Sequence, residues 1–188
     1  MKIKRFLNFI FECENKVLIA FSLFYFAGFV LGCVFVFSDN VQAVRLLLSE
    51  TFLGLAFKNL LLLSVIFMFG YTPFSMPVII FASFFDGIYI SIICSSFVID
   101  YGIKGSLIVT LLFFVYFVCN IISIFSISYS SLRLSLMVGT IFKSNYKYFS
   151  INTYTTPHLI KFISLSVFTL IYSGYYVFFA QEIAEIII

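Results

Sequence analysis

From Val17 to Phe37 the chain runs for 21 residues without one charged side chain. As a helix rising 1.5 Å per residue, that stretch covers about 31 Å, enough to cross the ~30 Å hydrocarbon core of a bilayer. Lys2, Lys4 and Arg5 precede it like the basic region of a signal peptide, and Val41-Gln42-Ala43 resembles a cleavage site. The run is nevertheless longer than the ~7–15 apolar residues such a peptide uses, so it reads as a retained span. Similar apolar stretches recur at 51–70, 78–99, 106–128 and 159–180. The expectation is an all-α, polytopic helical membrane protein. Residues 1–188 form a single membrane domain with about five transmembrane helices, supplemented by short amphipathic surface helices.

Composition points the same way. Apolar residues make up 63% and charged residues 10%, against about half and about a quarter in soluble domains. A water-soluble fold of this size could not bury that much apolar surface. Tryptophan is absent, so the 12 tyrosines take the interfacial aromatic role. A net charge of +3 with no basic stripe gives nucleic acid nothing to hold. Cys13, Cys33, Cys94 and Cys119 show no C-x-x-C spacing and read as small packing residues, not as a disulfide framework or metal site.

The connections and polar interruptions carry more detail. Residues 1–16 form a basic lead with Phe6, Leu7, Ile10 and Phe11 on one helical face, suited to lying on the membrane surface. The first span contains Gly28-Phe-Val-Leu-Gly32, a spacing that clears one helix face for close approach of another backbone. That face can meet a neighbouring span or form a homo-oligomer seam. Residues 38–50, with Val41, Val44, Leu47 and Leu48, read as a surface helix.

Lys58 and Asn59 interrupt the second span. Either it is a half-span through Leu60–Phe69, or it is complete and these two side chains face protein. A lysine at the membrane centre costs ~2.5–3.5 kcal/mol on insertion scales, so a complete span must give Lys58 a partner or a route to the surface. Gly70, Pro73 and Pro77 mark a short turn, which predicts an antiparallel hairpin of spans two and three. The third span holds Asp86-Gly87, a turn covers Asp100–Gly105, and the fourth span holds Asn120. Ser123, Ser126 and Ser130 then share a helix face. Residues 129–158 read as an amphipathic surface helix (Leu132, Leu136, Phe142) followed by a polar loop.

Five spans place the termini on opposite sides. With the N-terminus cytoplasmic, the inner flanks hold Lys2, Lys4, Arg5, Lys16, Arg133, Lys143, Lys147 and Lys161, while the outer flanks hold Arg45 and Lys104. The positive-inside rule selects that orientation, with the C-terminal Glu182 and Glu185 outside.

Motifs for chemistry are missing. His158 is the one histidine, no phosphate-binding glycine loop is present, and nothing pairs a nucleophile with a base. The expectation is a non-enzymatic protein with no cofactor and no catalytic or metal residues. What remains is the intramembrane polar set Lys58, Asn59, Asp86 and Asn120. Counting rises from the two ends of the hairpin, Lys58 and Asp86 stand within ~7–8 Å in depth, a gap a lysine stem covers. We expect them to pair, with Asn59 and Asn120 as further hydrogen-bonding partners. The set reads either as a clamp fixing helix register or as an ion or substrate path.

The central segment resembles the stage II sporulation protein M family. The resemblance rests on Phe57-Lys58-Asn59-Leu60, Gly70, Pro73, Pro77-Val-Ile-Ile-Phe81, Asp86-Gly87, Asp100-Tyr-Gly-Ile-Lys-Gly105, Asn120 and Leu132-Arg133-Leu-Ser135. It covers roughly residues 50–136. The chain departs from the family pattern at Asp86-Gly87, where Lys-Gly or Asn-Gly is expected, and before Asn120, where the usual proline is missing. The resemblance implies a multispanning scaffold of the bacterial cell membrane that recruits the cell-wall hydrolases stage II sporulation proteins P and D. In that family they remodel septal peptidoglycan during engulfment in endospore formation. The expected contact surfaces are the Gly28/Gly32 face, residues 38–54 and the acidic tail. The competing reading is a small transporter, or a transporter's membrane subunit, using the intramembrane polar residues.

Overall fold

The computed structural model describes residues 2–39, 51–143 and 152–187. They are helical almost throughout: α1 (Lys2–Asp39), α2 (Phe52–Phe69), α3 (Ser75–Ile108), α4 (Phe114–Lys143), α5 (Asn152–Tyr175) and α6 (Glu182–Ile187). A π-helical turn, Val109–Phe113, joins α3 to α4, and a second, Tyr176–Gln181, joins α5 to α6. Five stretches are long and apolar enough to cross a membrane: Ile19–Phe37, Phe52–Phe69, Ser75–Leu111, Phe114–Gly139 and Thr155–Ala184. The all-α, multi-span expectation therefore holds. Large apolar side chains such as Phe26, Phe37, Leu53, Phe57, Phe81, Leu111, Ile122 and Ile171 are more than half exposed around the bundle, a surface that suits lipid and not water.

The second span is a complete helix, not a half-span. Thr51 caps it, its hydroxyl accepting from the Gly54 N–H at 3.2 Å, which satisfies one of the orphan donors of a helix start. Its 18 residues extend about 27 Å. At the far end the Gly70 N–H bonds back to Ile66 O and Phe67 O, and two tight turns follow at Tyr71 and Thr72. Pro73 lies in this turn, but Pro77 falls in the first turn of α3, where its missing N–H costs nothing.

The expected Asp100–Gly105 turn reduces to a single residue. Gly102 adopts φ 56° and ψ −125° inside α3, a conformation that side-chain-bearing residues avoid. The chain folds back there. Phe97 and Phe113 have ring centroids 5.0 Å apart, although a straight helix would separate them by about 24 Å. A Cβ at Gly105 would strike the Phe97 carbonyl, so the returning leg starts in contact with the outgoing one.

Two expected surface helices prove to be extensions of spans. The basic lead continues into α1 without a break. Residues 129–143 continue α4, because no glycine or proline interrupts the stretch from Ser128 to Val138 and Leu132, Leu134 and Met137 are buried in the bundle. The surface helix expected at 38–50 falls, from residue 40 on, outside the described residues, as does the loop at 144–151.

Neighbours differ from the sequence order. α1 packs mainly on α3, and α2 packs mainly on α5 and α4. The α2–α3 pair, joined by the 70–74 turn, packs together less closely than α1 with α3 or α2 with α5. α1 and α3 run parallel: a Cβ on Gly28 would strike the Phe84 carbonyl, and one on Gly32 would sit 2.7 Å from the Ile88 carbonyl and 2.9 Å from the Ser91 Cβ. From the other side, a Cβ on Gly87 would strike the Tyr25 carbonyl. Lipid tails are as apolar as leucine, so helices in a bilayer gain from close backbone contact and not from burial as such. Gly28, Gly32 and Gly87 supply that contact. The Gly28/Gly32 face is therefore filled by α3, the neighbouring-span packing its spacing suggested, and it is not open as the partner contact surface expected from the resemblance.

The core has two apolar clusters. One, near the Gly102 end, includes Leu55, Ile90, Phe97, Phe113, Tyr116, Tyr172 and Tyr176. The other, near the 70–74 turn, includes Phe21, Leu63, Phe67, Ala82, Ile124 and Leu132.

Candidate functional site

Between the two clusters lies a polar layer, one helical turn thick. On α2, Asn59 sits four residues from Leu55 and four from Leu63. On α3, Asp86 stands midway between Ala82 and Ile90, and on α4 Asn120 stands midway between Tyr116 and Ile124. Each helix thus turns an apolar, a polar and an apolar residue inward in successive turns, because residues four apart share a face. Asn59, Asp86 and Asn120 are buried.

Their side chains bind the helices to one another. Asn120 Nδ2 donates to Asp86 Oδ1 at 2.9 Å, and the Tyr172 hydroxyl donates to Asn120 Oδ1 at 3.0 Å. Both ends of the Asn120 amide are used, joining α3, α4 and α5. Asn59 Nδ2 lies 3.1 Å from the Tyr116 hydroxyl and 3.3 Å from Ser173 Oγ, donating to both and joining α2, α4 and α5. Tyr116 and Tyr172 meet edge to face at 5.5 Å and link the two sets. Asp86 Oδ2 and the Tyr25 hydroxyl are buried without a hydrogen-bond partner.

Three of the four intramembrane polar residues expected from sequence thus come together. Lys58 is placed differently from the expected clasp. Its ammonium lies over the Tyr89 ring, 2.9 Å from the centroid, on α3 one turn beyond Asp86. The hydrogen bond at Asp86 comes from Asn120. Lys58 is exposed on the surface of the bundle, and the aromatic face of Tyr89 gives its cation a partner there.

Tyr116, Tyr172 and Ser173 complete the layer, and sequence reasoning does not single them out. Tyrosines read as aromatic filling, and serine is common in membrane helices. The available signal is spacing: Tyr116 precedes Asn120 by four residues.

A second polar cluster pins the 70–74 turn. His158 Nδ1 is 2.8 Å from Ser130 Oγ, and Nε2 is 3.3 Å from the Phe67 carbonyl. A carbonyl only accepts, so the proton belongs on Nε2, and Ser130 donates to Nδ1. The ring stacks on Phe67 at 4.7 Å. A Cβ at Gly70 would lie 3.0 Å from His158 Nε2, and Ser135 Oγ donates to the Thr72 carbonyl at 2.5 Å. Ser123, Ser126 and Ser130 lie along one face of α4, with different partners: Ser123 bonds its own helix at Cys119 O, and Ser130 serves His158. Cys33, Cys94 and Cys119 are free thiols, and Cys33 Sγ accepts from Ser91 and Ser95 at 3.1 and 3.3 Å. Among the described residues no three His, Cys, Asp or Glu side chains converge on a metal-sized site.

No family model, no curated protein and no solved structure matches this chain.

Proposed function

We propose that the chain is a non-enzymatic membrane scaffold, a helical platform on which membrane-tethered partners assemble. The observation that carries this reading is the use made of the buried polar groups. Asn59, Asp86 and Asn120 spend their hydrogen bonds on neighbouring helices, with packed apolar clusters on both sides of them. Such a layer fixes register and rotation among α2, α3, α4 and α5, which is what a platform needs. The resemblance to stage II sporulation protein M gives the platform a role, that of holding stage II sporulation proteins P and D for peptidoglycan remodelling during engulfment.

The orientation belongs to the same proposal. The turn at 70–74, Arg133 and the start of α5 gather at one end of the bundle, and α1, running parallel to α3, begins there too. That end collects the basic residues, so it faces the cytoplasm of a bacterial cell under the positive-inside rule, with the Gly102 end outside.

Affinity capture of the tagged full chain from sporulating cells tests the role. A cell-wall hydrolase should appear in the capture, and engulfment should stall in a deletion strain. Absence of both would overturn the proposal. One observation favours a second reading as a small transporter: Asp86 Oδ2 and the Tyr25 hydroxyl are buried with no hydrogen-bond partner, as a transient ion or proton site would leave them.

A further inference from the structure

An open groove of about 340 Å³ runs along α4, lined by Ile121, Ile122, Phe125, Ser126 and Tyr129, with Lys161 of α5 on its border. Phe21 of α1 meets Phe125 edge to face at 5.5 Å, beside the groove. Ile122 and Phe125 are exposed along its floor. The Lys161 ammonium stands 5.8 Å from the Tyr129 ring centroid, near the outer limit of a cation–π contact and so weakly held.

Depth decides what can occupy this groove. Asn59 lies near the middle of its span, Phe52–Phe69, so the polar layer it belongs to marks the bilayer centre. Tyr129 is nine residues beyond Asn120 on the same helix, or about 13 Å along its axis. The hydrocarbon boundary lies about 15 Å from the centre. Tyr129 and Lys161 therefore stand at the headgroup boundary, while Ile121, Ile122 and Phe125 stand at acyl-chain depth. The gradient runs from cation through hydroxyls to apolar floor.

We propose that this groove holds one anionic phospholipid of the leaflet on the side of the 70–74 turn. Its phosphate meets Lys161, and an acyl chain lies along Ile121, Ile122 and Phe125. Charge complementarity selects the headgroup: a zwitterionic lipid would bring its own ammonium beside Lys161. A soluble anion gains nothing from the apolar floor. The inference does not depend on the scaffold reading or on which side of the membrane is cytoplasmic.

Native mass spectrometry of the detergent-purified full chain, titrated with dioleoylphosphatidylglycerol or dioleoylphosphatidylcholine, tests it. The unmodified chain should retain one phosphatidylglycerol and bind phosphatidylcholine more weakly. Lys161→Gln should weaken phosphatidylglycerol binding about five-fold, the contribution of one basic residue at an anionic surface. Lys161→Arg, which keeps the charge, should bind as the unmodified chain does. Ile122→Trp should fill the floor and lower binding with the charge intact, and Lys104→Gln at the opposite end should change nothing. Equal retention of the two lipids, or full phosphatidylglycerol binding by both Lys161→Gln and Ile122→Trp, would overturn the proposal. So would a loss with Lys161→Arg as large as with Lys161→Gln.

Discussion

Asn120 is the residue on which the polar layer turns, because its amide serves two neighbours at once. Replacing it by leucine removes the hydrogen bond to the Tyr172 hydroxyl and leaves Asp86 Oδ1 unsatisfied in the core. Interhelical hydrogen bonds in membranes average ~0.6 kcal/mol with a maximum near ~1.7, and an orphaned buried group adds to that. Asn120→Leu should therefore cost about 2 kcal/mol in a reversible unfolding titration in mixed micelles. Removing both partners is cheaper than removing one, so Asp86→Leu with Asn120→Leu should cost no more than Asn120→Leu alone. Additive costs would contradict a coupled pair. Asn59, Asp86 and Asn120 are legible in the sequence because each is polar within a long apolar run. Tyr116, Tyr172 and Ser173 are not, since a tyrosine can fill a core, face an interface or donate a hydrogen bond, and sequence alone does not separate these roles. The seat of Lys58 escapes a sequence reading for a related reason: an aromatic face is a cation's partner without carrying charge.

At the scale of elements, the glycines make separable predictions. Gly87 has no room for a side chain because the Tyr25 carbonyl of α1 stands where its Cβ would be. Gly87→Val must push α1 off α3, an overpacking cost of about 1–3 kcal/mol or more, measurable as lower thermal stability and faster proteolysis of α1. Gly102 has open space but positive φ. Gly102→Ala should cost about 1–2 kcal/mol from backbone strain alone, with α1 still docked. Gly139 has neither constraint, so Gly139→Ala should be neutral or stabilise by roughly 0.5–1 kcal/mol. Equal effects at the three positions would contradict these separate causes. The spans themselves are legible from length and hydropathy. Their ends are less so: the surface helix expected after residue 128 is the second half of α4, with Leu132, Leu134 and Met137 buried, because amphipathic spacing looks alike against a membrane surface and against a protein neighbour. The π-helical turns at Val109–Phe113 and Tyr176–Gln181 carry no glycine or proline that would announce them.

For the whole molecule, span number and helical class follow from the sequence, but the arrangement of neighbours does not. Any apolar face serves equally against lipid or helix, and only the Gly28/Gly32 spacing hints that α1 has a close partner. Five spans, on this reading, enclose a polar layer sealed from water on both sides. Single cysteines at Phe74, Asp86 and Ile103, in a chain lacking its four native cysteines, test it with a membrane-impermeant maleimide applied to intact cells and to inverted vesicles. Phe74→Cys should label only in inverted vesicles, Ile103→Cys only in intact cells, and Asp86→Cys in neither. Labelling of Asp86→Cys from either side would reveal a water path to the layer and contradict the sealed scaffold.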